Sequence, residues 1–173
     1  MFWRKRTFSE LSQETHQRKG HLPVVLVLHN IRSQYNVGAI LRTADAVGVE
    51  KVILSGYTPK PEQSGVKKTA LRGLTGVNWQ YIQNVYQALQ QLKSSGYQLY
   101  ALEQCHGSKR YDQVTYQFPA VLILGEEVAG VDQSLLDQCD QVIEIPMFGQ
   151  AHSLNVSVAT GVIMYEILGQ YSK

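Results

Sequence analysis

The sequence contains little cysteine and no pattern typical of a bound metal. Its 173 residues include only two cysteines, Cys105 and Cys139, which form no C-x-x-C pair and match no zinc-binding spacing. Nothing therefore indicates a disulfide framework or a structural zinc site. The five histidines show neither the H-x-x-x-H nor the H-E-x-x-H spacing of metal sites. We expect unpaired thiols, a cytoplasmic location and no bound metal.

Long hydrophobic runs and a strong net charge are also missing. No apolar stretch reaches the roughly 20 residues that a transmembrane helix needs. The basic start, Met1 to Arg6, is not followed by the apolar segment of a secretory signal. The net charge of +2 is too small to indicate a nucleic-acid partner by itself. The length and composition predict a single soluble domain with a substantial core.

The basic residues are nevertheless clustered along the chain. Two groups stand out, namely Arg4, Lys5, Arg6, Arg18 and Lys19 near the start, and Lys67, Lys68 and Arg72 further on. Such clusters suit contacts with RNA phosphates, although solvated surface charge explains each group taken singly. We interpret residues 1–21 as a basic N-terminal arm and residues 22–173 as one folded domain.

The hydrophobic pattern predicts strands that alternate with helices. The continuous apolar run at residues 24–28 is typical of a strand buried on both faces, and helical spacing then runs from about Asn36 to a stop at Gly48. Further strands are predicted at residues 52–54, 97–102, 120–124 and 142–145, and further helices at residues 84–96, 133–139 and from Ser153 towards the C-terminus. Residues 55–66 and the second basic group are expected in loops. This order favours an α/β fold with a mostly parallel sheet and helices on both faces.

Polar residues or glycines follow four of the predicted strands. They are Asn30 and Arg32 after the first strand, Glu103 after another, Gly125, Glu126 and Glu127 after a third, and residues 147–155 after the last. Ligands of open α/β sheets bind beyond the carboxyl ends of the strands. The sequence therefore predicts a site at this edge of the sheet.

The motifs of several common enzyme classes are absent. No G-x-G-x-x-G, no G-x-x-x-x-G-K-[ST] and no G-x-S-x-G is present, so neither a standard nucleotide-binding loop nor a hydrolase elbow is expected. The candidate site consists instead of Asn, Arg, Glu and Ser side chains with backbone amides. Such a set suits positioning and phosphate binding better than covalent catalysis. Ser153, taken alone, is most simply interpreted as the N-cap of the last helix.

Three blocks of the sequence resemble the signature motifs of the SpoU (TrmH-like) family of RNA ribose 2′-O-methyltransferases, in the SPOUT superfamily. The first block runs from Asn30 to Ala44 and contains N-V-G-A-I-L-R-T-A. The second runs from Leu122 to Gly130, and the third from Ile145 to Ala159, where it contains S-L-N-V-S-V-A. The resemblance covers residues 22 to 168, and the three blocks together make it specific.

The resemblance implies features that patterning does not supply. It implies a trefoil knot in the C-terminal segment, a homodimer with its site near the interface, and S-adenosylmethionine as the cofactor. The implied cofactor-binding residues are Leu102, Glu103, Gly125, Glu126, Ile145, Met147, Ser153 and Leu154. Apolar residues such as Ile145 and Leu154 would cover the adenine, although ordinary core packing explains them equally well without the family.

The resemblance also implies catalytic and RNA-binding residues. The implied catalytic residues are Arg42, Asn36, Glu127, Ser153 and Asn155. Arg42 is expected at the ribose 2′-hydroxyl, either as a base or as a clamp on hydroxyl and phosphate, because a guanidinium is hard to deprotonate. Glu127 is expected to anchor Arg42 or Asn155. Asn30 and Arg32 are candidates for contact with RNA phosphates, together with Arg4, Lys5, Arg6, Lys67, Lys68 and Arg72.

The predicted function is methylation of RNA, with tRNA favoured over ribosomal RNA. The 2′-hydroxyl exists only in RNA, so DNA is not an expected substrate. Two other functions remain open from the sequence. One is a non-catalytic RNA-binding or assembly factor on the same fold, and the other is a small-molecule α/β enzyme.

Overall fold

The computed structural model describes residues 4–7, 9–10, 21–71 and 73–172. Within them, seven strands form one sheet in which every neighbouring pair is parallel. The strands are β1 (Leu22–His29), β2 (Val49–Ser55), β3 (Trp79–Ile82), β4 (Gln98–Leu102), β5 (Lys109–Arg110), β6 (Ala120–Leu124) and β7 (Gln141–Glu144). The α-helices are α1 (Gln34–Val47), α2 (Ser64–Ala70), α3 (Gly73–Gly76), α4 (Val85–Ser94), α5 (Gln133–Leu136) and α6 (Val156–Tyr171). The predicted α/β fold with a parallel sheet is confirmed.

The strand order places the four strands that precede the candidate site next to one another. Across the sheet the order is β3-β2-β1-β6-β4-β7-β5. Leu26 of β1 is paired with Val52 of β2 on one side and with Leu122 of β6 on the other. Because the strands are parallel, all their carboxyl ends lie at one edge. The segments that follow β1, β6, β4 and β7 therefore meet there.

Helices cover both faces of the sheet, as predicted. Alternate side chains of a strand point to opposite faces. Leu26 and Leu28 of β1 belong to the cluster that includes residues of α1, α2 and α6, whereas Val25 and Val27 belong to the cluster that includes Leu89 of α4. Burial on both sides explains why the sequence of β1 is apolar without interruption.

Several predicted element boundaries differ from the observed ones, and β1 and β2 are both longer than predicted. Helix α5 ends at Leu136 rather than Cys139, and β7 begins and ends one residue earlier than expected. The short strands β3 and β5 and the helices α2 and α3 were not predicted. Elements of two to seven residues show too few periods of a hydrophobic pattern to be recognised in sequence.

Helix α1 begins two residues before the predicted start. Ser33 is its N-cap, and the Ser33 hydroxyl accepts a hydrogen bond from the backbone N–H of Asn36 at 3.3 Å. Asn36 itself is therefore not the helix cap, because it already lies in the first turn. Gly48 ends the helix in the left-handed conformation, with a φ of 72°, as expected of a C-terminal stop.

Helix α6 is capped by Asn155, and the interpretation of Ser153 as its N-cap is wrong. The Asn155 Oδ1 accepts hydrogen bonds from the backbone N–H of Ser157 at 2.9 Å and from its hydroxyl at 2.6 Å. Both Ser and Asn are good capping residues, so the sequence alone did not decide between two candidates that lie two positions apart. Ser153 therefore stands in the loop before the helix.

Helix α6 carries apolar residues on its exposed side as well as on its core face. Leu154, just before the helix, is 38% exposed, and Val158 and Tyr165 are 53% and 58% exposed. The core face is formed instead by Ala159, Thr160, Ile163, Met164 and Ile167. A helix that is apolar on more than one side has a further face to bury.

The basic groups are placed differently from the prediction. Lys67 and Lys68 lie on helix α2 and are exposed, so the expected basic loop is wrong for them. Arg72 lies outside the described residues, as do Arg18 and Lys19.

In the described part of the N-terminal arm, Ser9 and Glu10 are helical. Arg4, Lys5 and Arg6 are exposed there. The Thr7 N–H donates to a Glu10 carboxylate oxygen at 2.6 Å, and the Thr7 hydroxyl accepts from the Glu10 N–H at 3.3 Å, which together form a capping box. Arg4 also pairs with Glu10 at 2.8 Å. Among the described residues, no helix is long and apolar enough to span a membrane.

Candidate active site

A cleft of about 360 Å³ opens at the carboxyl edge of the sheet. It is formed by the segments that follow β4, β6 and β7 and by the first turn of α6. All eight residues expected to bind a cofactor line it, namely Leu102, Glu103, Gly125, Glu126, Ile145, Met147, Ser153 and Leu154. The fold thus brings together side chains from positions 102 to 154 of the chain.

Eight further residues line the same cleft and were not singled out from the sequence. They are Gln104, Leu124, Val128, Ala129, Gly130, Glu144, Val156 and Ala159. Glu127 and Asn155, which were expected near the catalytic pocket, also line the cleft. Most of the missed residues adjoin expected ones on the same loop, so the motif positions could have indicated them. Gln104 has a structural role. Its side-chain NH₂ donates to the His152 carbonyl at 3.0 Å, and this hydrogen bond joins two walls of the cleft.

The loop after β6 is held in a tight turn. The Glu126 N–H donates to the Gly130 carbonyl at 3.0 Å, and the Gly130 N–H donates to the Glu126 carbonyl at 2.9 Å. A Cβ at Gly125 would overlap the Gly130 carbonyl, so only glycine fits there. The Glu103 carboxylate accepts from the Val131 N–H at 2.8 Å and from the Gln104 N–H at 2.8 Å. Glu103 therefore fixes this loop to the end of β4.

Glu126 places a carboxylate in the cleft wall. Its side chain is only 11% exposed, and one oxygen accepts from the Ala129 N–H at 2.6 Å. The other oxygen lies 3.5 Å from a guanidinium nitrogen of Arg32. The carboxylate is thus held by its own loop beside the cleft and does not simply face solvent.

Three side chains form a polar network between α1, the β6 loop and α6. The Asn36 Nδ2 donates to the Glu127 Oε1 at 2.9 Å, and the Asn155 Nδ2 donates to the Asn36 Oδ1 at 3.1 Å. Glu127 also accepts from the backbone N–H groups of Arg32 at 2.9 Å and Ser33 at 3.1 Å. We call Glu127, Asn36 and Asn155 the polar network. It joins residues that are up to 119 positions apart.

The hydrogen bonds keep Glu127 ionised. Partial burial raises the pKa of its carboxyl group, but the Arg32 N–H, the Asn36 amide and the Ser33 N–H lower it further than burial raises it. The net pKa lies below the ordinary value of 4.5. At neutral pH the carboxylate is therefore a pure acceptor, which fixes the Asn36 amide with its NH₂ group towards Glu127 and its oxygen towards Asn155.

Arg42 lies apart from the polar network. It is exposed on α1, does not line the cleft, and forms no hydrogen bond or ion pair with the residues that the structure describes. Six residues of an α-helix turn the side-chain direction by about 600°, which leaves Arg42 about 120° away from Asn36. The expectation that Glu127 anchors Arg42 is therefore not met within one chain, whereas Asn155 is joined to Glu127 through Asn36.

The remaining predicted residues border the site. Ser153 is exposed on the cleft wall and its hydroxyl is open to a ligand. The Arg32 side chain is 67% exposed, while its backbone binds Glu127. Asn30 has a positive φ of 60°, and its Oδ1 accepts from the Tyr57 N–H at 3.3 Å. Asn30 is thus hydrogen-bonded within the protein, and its contact with an RNA phosphate stays a prediction.

Comparison with known proteins identifies the family. Residues 23–165 match the SpoU rRNA Methylase family. The chain belongs to this family. The SpoU match spans the strands, the cleft and most of α6, and it confirms the assignment drawn from the three motif blocks.

Individual SpoU relatives agree with this assignment. The tRNA (guanosine(18)-2'-O)-methyltransferase of Aquifex aeolicus is 36% identical over 146 residues, which cover 83% of this chain and 67% of that relative. The chain spans 58% to 67% of the length of the curated relatives compared with it.

Solved SpoU structures have the same fold. The A. aeolicus TrmH/SpoU tRNA modifying enzyme superposes with a TM-score of 0.80 at 33% identity, covering 88% of this chain and 77% of the other. An AdoMet-bound rRNA methyltransferase from Sinorhizobium meliloti superposes with a TM-score of 0.78 at 28% identity, covering 87% and 60%.

Proposed function

We propose that this chain is an S-adenosylmethionine-dependent RNA 2′-O-ribose methyltransferase that acts on tRNA, with ribosomal RNA a less favoured substrate. The observation that carries the proposal is the cleft at the carboxyl edge, bordered by the polar network, in a chain of the SpoU family. The names of similar proteins support both RNA classes, since one acts on a tRNA guanosine and another is an rRNA methyltransferase.

The cleft suits S-adenosylmethionine in size and chemistry. Leu102, Ile145 and Leu154 supply apolar surface for an adenine ring, while the tight loop at Gly125 leaves room for backbone contacts with its edge. The Glu126 carboxylate supplies a negative charge that favours a sulfonium cation. When bound, the cofactor supplies the methyl group.

The protein must position a ribose 2′-hydroxyl and help to remove its proton. Alignment of the two reactants supplies much of the rate enhancement in such a transfer. Ser153 and Asn155 lie on the cleft wall, where they can hydrogen-bond the ribose. Asn36 and Glu127 hold Asn155 in place. Arg42 would orient the phosphate and hydroxyl through its fork of donors, or take the proton as a base with the phosphate as relay.

Arg42 reaches a cleft most simply in a homodimer. The apolar residues Leu154, Val158 and Tyr165 continue from the rim of the cleft along the exposed side of α6. A second copy packed on this face would bury it and close the site. Because Arg42 does not line the cleft of its own chain, we propose that it completes the cleft of the partner copy.

Three further features belong to the same proposal and are supported by family membership alone. They are the trefoil knot of the C-terminal segment, the division into a basic arm (residues 1–21) and one methyltransferase domain (residues 22–173), and a cytoplasmic site of action on RNA. The exposed Arg4, Lys5, Arg6, Lys67 and Lys68 would contact RNA phosphates.

The deciding experiment is a methyl-transfer assay with nucleoside mapping. The purified protein is incubated with S-adenosylmethionine and unmodified tRNA or ribosomal RNA, and digested RNA is searched by mass spectrometry for 2′-O-methyl nucleosides. We expect one methylated position, which should also be lost from cellular RNA when the gene is deleted. Substrate carrying a 2′-deoxyribose at that position is the control and should accept no methyl group.

Two outcomes would contradict the proposal. RNA binding without S-adenosylmethionine binding in calorimetry would indicate a non-catalytic RNA-binding factor. Absence of RNA binding at low salt would indicate a small-molecule enzyme on this fold.

A further inference from the structure

An exposed tyrosine stands beside the site on the loop after β2. Tyr57 is 59% exposed and does not line the cleft. In RNA-binding proteins, exposed aromatic rings stack on the bases of single-stranded RNA.

The loop that carries Tyr57 is fixed by buried hydrogen bonds. Thr58 is 3% exposed, and its hydroxyl donates to the carbonyls at the ends of β1 and β2, Leu28 at 3.0 Å and Ser55 at 2.8 Å. Gly56 has a φ of 63°, and a Cβ there would overlap the Asn30 side chain. The Asn30 Oδ1 in turn accepts from the Tyr57 N–H. The ring is therefore presented from a rigid backbone, which lowers the entropy cost of binding to it.

A second aromatic ring and a cation extend the same surface. The Tyr81 hydroxyl donates to the Gly56 carbonyl at 2.7 Å. The Lys60 ammonium lies 4.1 Å from the centre of the Tyr81 ring, a cation–π contact. We call Tyr57, Lys60 and Tyr81 the aromatic surface.

The aromatic surface is coupled to the polar network through one short segment. The Ile31 N–H donates to the Thr58 hydroxyl at 3.2 Å, and the next N–H, of Arg32, donates to Glu127. The pKa of Tyr57 is raised by partial desolvation and by the charges of Glu126, Glu127 and Asp132, while Arg32 lowers it. The Tyr57 hydroxyl therefore lies within electrostatic reach of the cleft wall.

We propose that the Tyr57 ring stacks on a nucleobase of the RNA strand whose ribose is methylated in the cleft. This inference rests on the proposed function. Three acidic side chains near Tyr57 disfavour a phosphate at this position, whereas a base is neutral and presents a flat face. The cofactor adenine is not the partner, because Tyr57 is outside the cleft. The Arg32 guanidinium and the Lys60 ammonium would contact the phosphates on either side of the stacked base.

The test compares three substitutions of Tyr57 for affinity towards an unmodified tRNA transcript, measured by filter binding at fixed salt. Stacking of one base on an aromatic side chain predicts a loss of about 5- to 150-fold in Tyr57→Ala. Tyr57→Leu should lose nearly as much, since it keeps apolar area without a ring face. Tyr57→Phe should bind like the wild type. Tyr86→Ala, at an exposed tyrosine of α4 whose hydroxyl is hydrogen-bonded to Ser134 at 2.9 Å, is the control and should leave the RNA affinity unchanged.

Folding and cofactor binding are measured on the same proteins. The Tyr57 side chain does not line the cleft, so the three Tyr57 variants should keep the wild-type Tm and S-adenosylmethionine affinity. The inference is overturned if Tyr57→Leu binds the transcript as well as the wild type does, if Tyr57→Phe is as weak as Tyr57→Ala, or if the loss is accompanied by a change in oligomeric state. A wild-type protein that neither binds nor methylates RNA would instead overturn the proposed function.

Discussion

The two regions expected to perform the chemistry differ in how they are held. The polar network of Glu127, Asn36 and Asn155 is held within one chain, since each member is hydrogen-bonded to another and Glu127 also binds two backbone N–H groups. Arg42, on the same helix as Asn36, is exposed and contacts no polar group of the described chain. The contrast agrees with our proposal that Arg42 acts in the cleft of a partner copy, whereas the network is formed within one chain.

The largest expected effect comes from removing Arg42. Arg42→Ala should lower the methyl-transfer rate by about 10²- to 10⁴-fold, the usual contribution of a positioned acid–base group. Its Tm should stay close to the wild-type value, because the exposed side chain makes no hydrogen bond or ion pair with the residues that the structure describes. Single-turnover transfer and thermal unfolding measure the two quantities. Arg110→Ala, at a surface arginine paired with Asp112, is the control, and equal rates in the two variants would contradict the assignment.

Mixed dimers test whether Arg42 acts across an interface. Arg42→Ala and Asn155→Ala chains, each inactive, are unfolded together and refolded. If Arg42 serves the partner's cleft, random pairing yields half mixed dimers with one intact site each, or about a quarter of the wild-type activity. Refolding each variant alone is the control. No recovery in the mixture, with dimers present by light scattering, would place Arg42 in its own chain's site.

Loss of Glu127 should weaken the network and the fold together. Glu127→Ala leaves the Arg32 and Ser33 N–H groups and the Asn36 amide without their acceptor, at a cost of about 1–3 kcal/mol, near the lower end because the site is half-exposed. The Tm should fall by about 2–6 °C. Val128→Ala, at the neighbouring exposed residue, is the matched control. An unchanged Tm in Glu127→Ala would show that the network contributes nothing to folding.

The contribution of Glu127 should depend on pH in one direction. Its pKa lies below 4.5 in the folded protein, so its stabilising effect is complete above the unfolded value and is lost as the pH falls through the folded value. The difference in free energy of unfolding between the wild type and Glu127→Gln should be constant from pH 7 to about pH 5 and shrink below that. Urea titrations across this range measure it, and a difference that grows on acidification would reverse the assigned shift.

The smallest expected change in stability distinguishes the two hydrogen-bonding roles of Asn155, as the cap of α6 and as the donor to Asn36. Asn155→Ser retains a capping oxygen for α6 but loses the bond to Asn36, and should cost about 0.5–1.5 kcal/mol. Asn155→Ala loses both and should cost about 1 kcal/mol more. Urea unfolding of the two variants gives the difference. Identical stabilities would mean that the cap contributes nothing.

Which residues line the cleft could be predicted from the sequence more fully than the hydrogen bonds that they make. Strand ends and motif blocks placed Glu103, Gly125 and Ile145 at one edge, and all three line the cleft. The same reasoning failed to choose between Ser153 and Asn155 as the cap of α6, because both residue types cap helices well and only the bond from Asn155 to Asn36 distinguishes them. It also gave no indication of Tyr57, since a lone tyrosine in a loop has no pattern.

The sequence by itself determined the order of the longer strands and helices, the family and the edge of the sheet where the site lies. These follow from local periodicity and from short motifs, which are written in consecutive residues. Only the tertiary structure decided that Asn36 and Arg42, in one motif, point to different sides of α1, that Asn155 meets Asn36 across 119 positions, and that the loop carrying Tyr57 is bonded to the segment that binds Glu127. Such relations depend on how strands are ordered and helices are rotated, and neither is encoded in any single stretch of the chain.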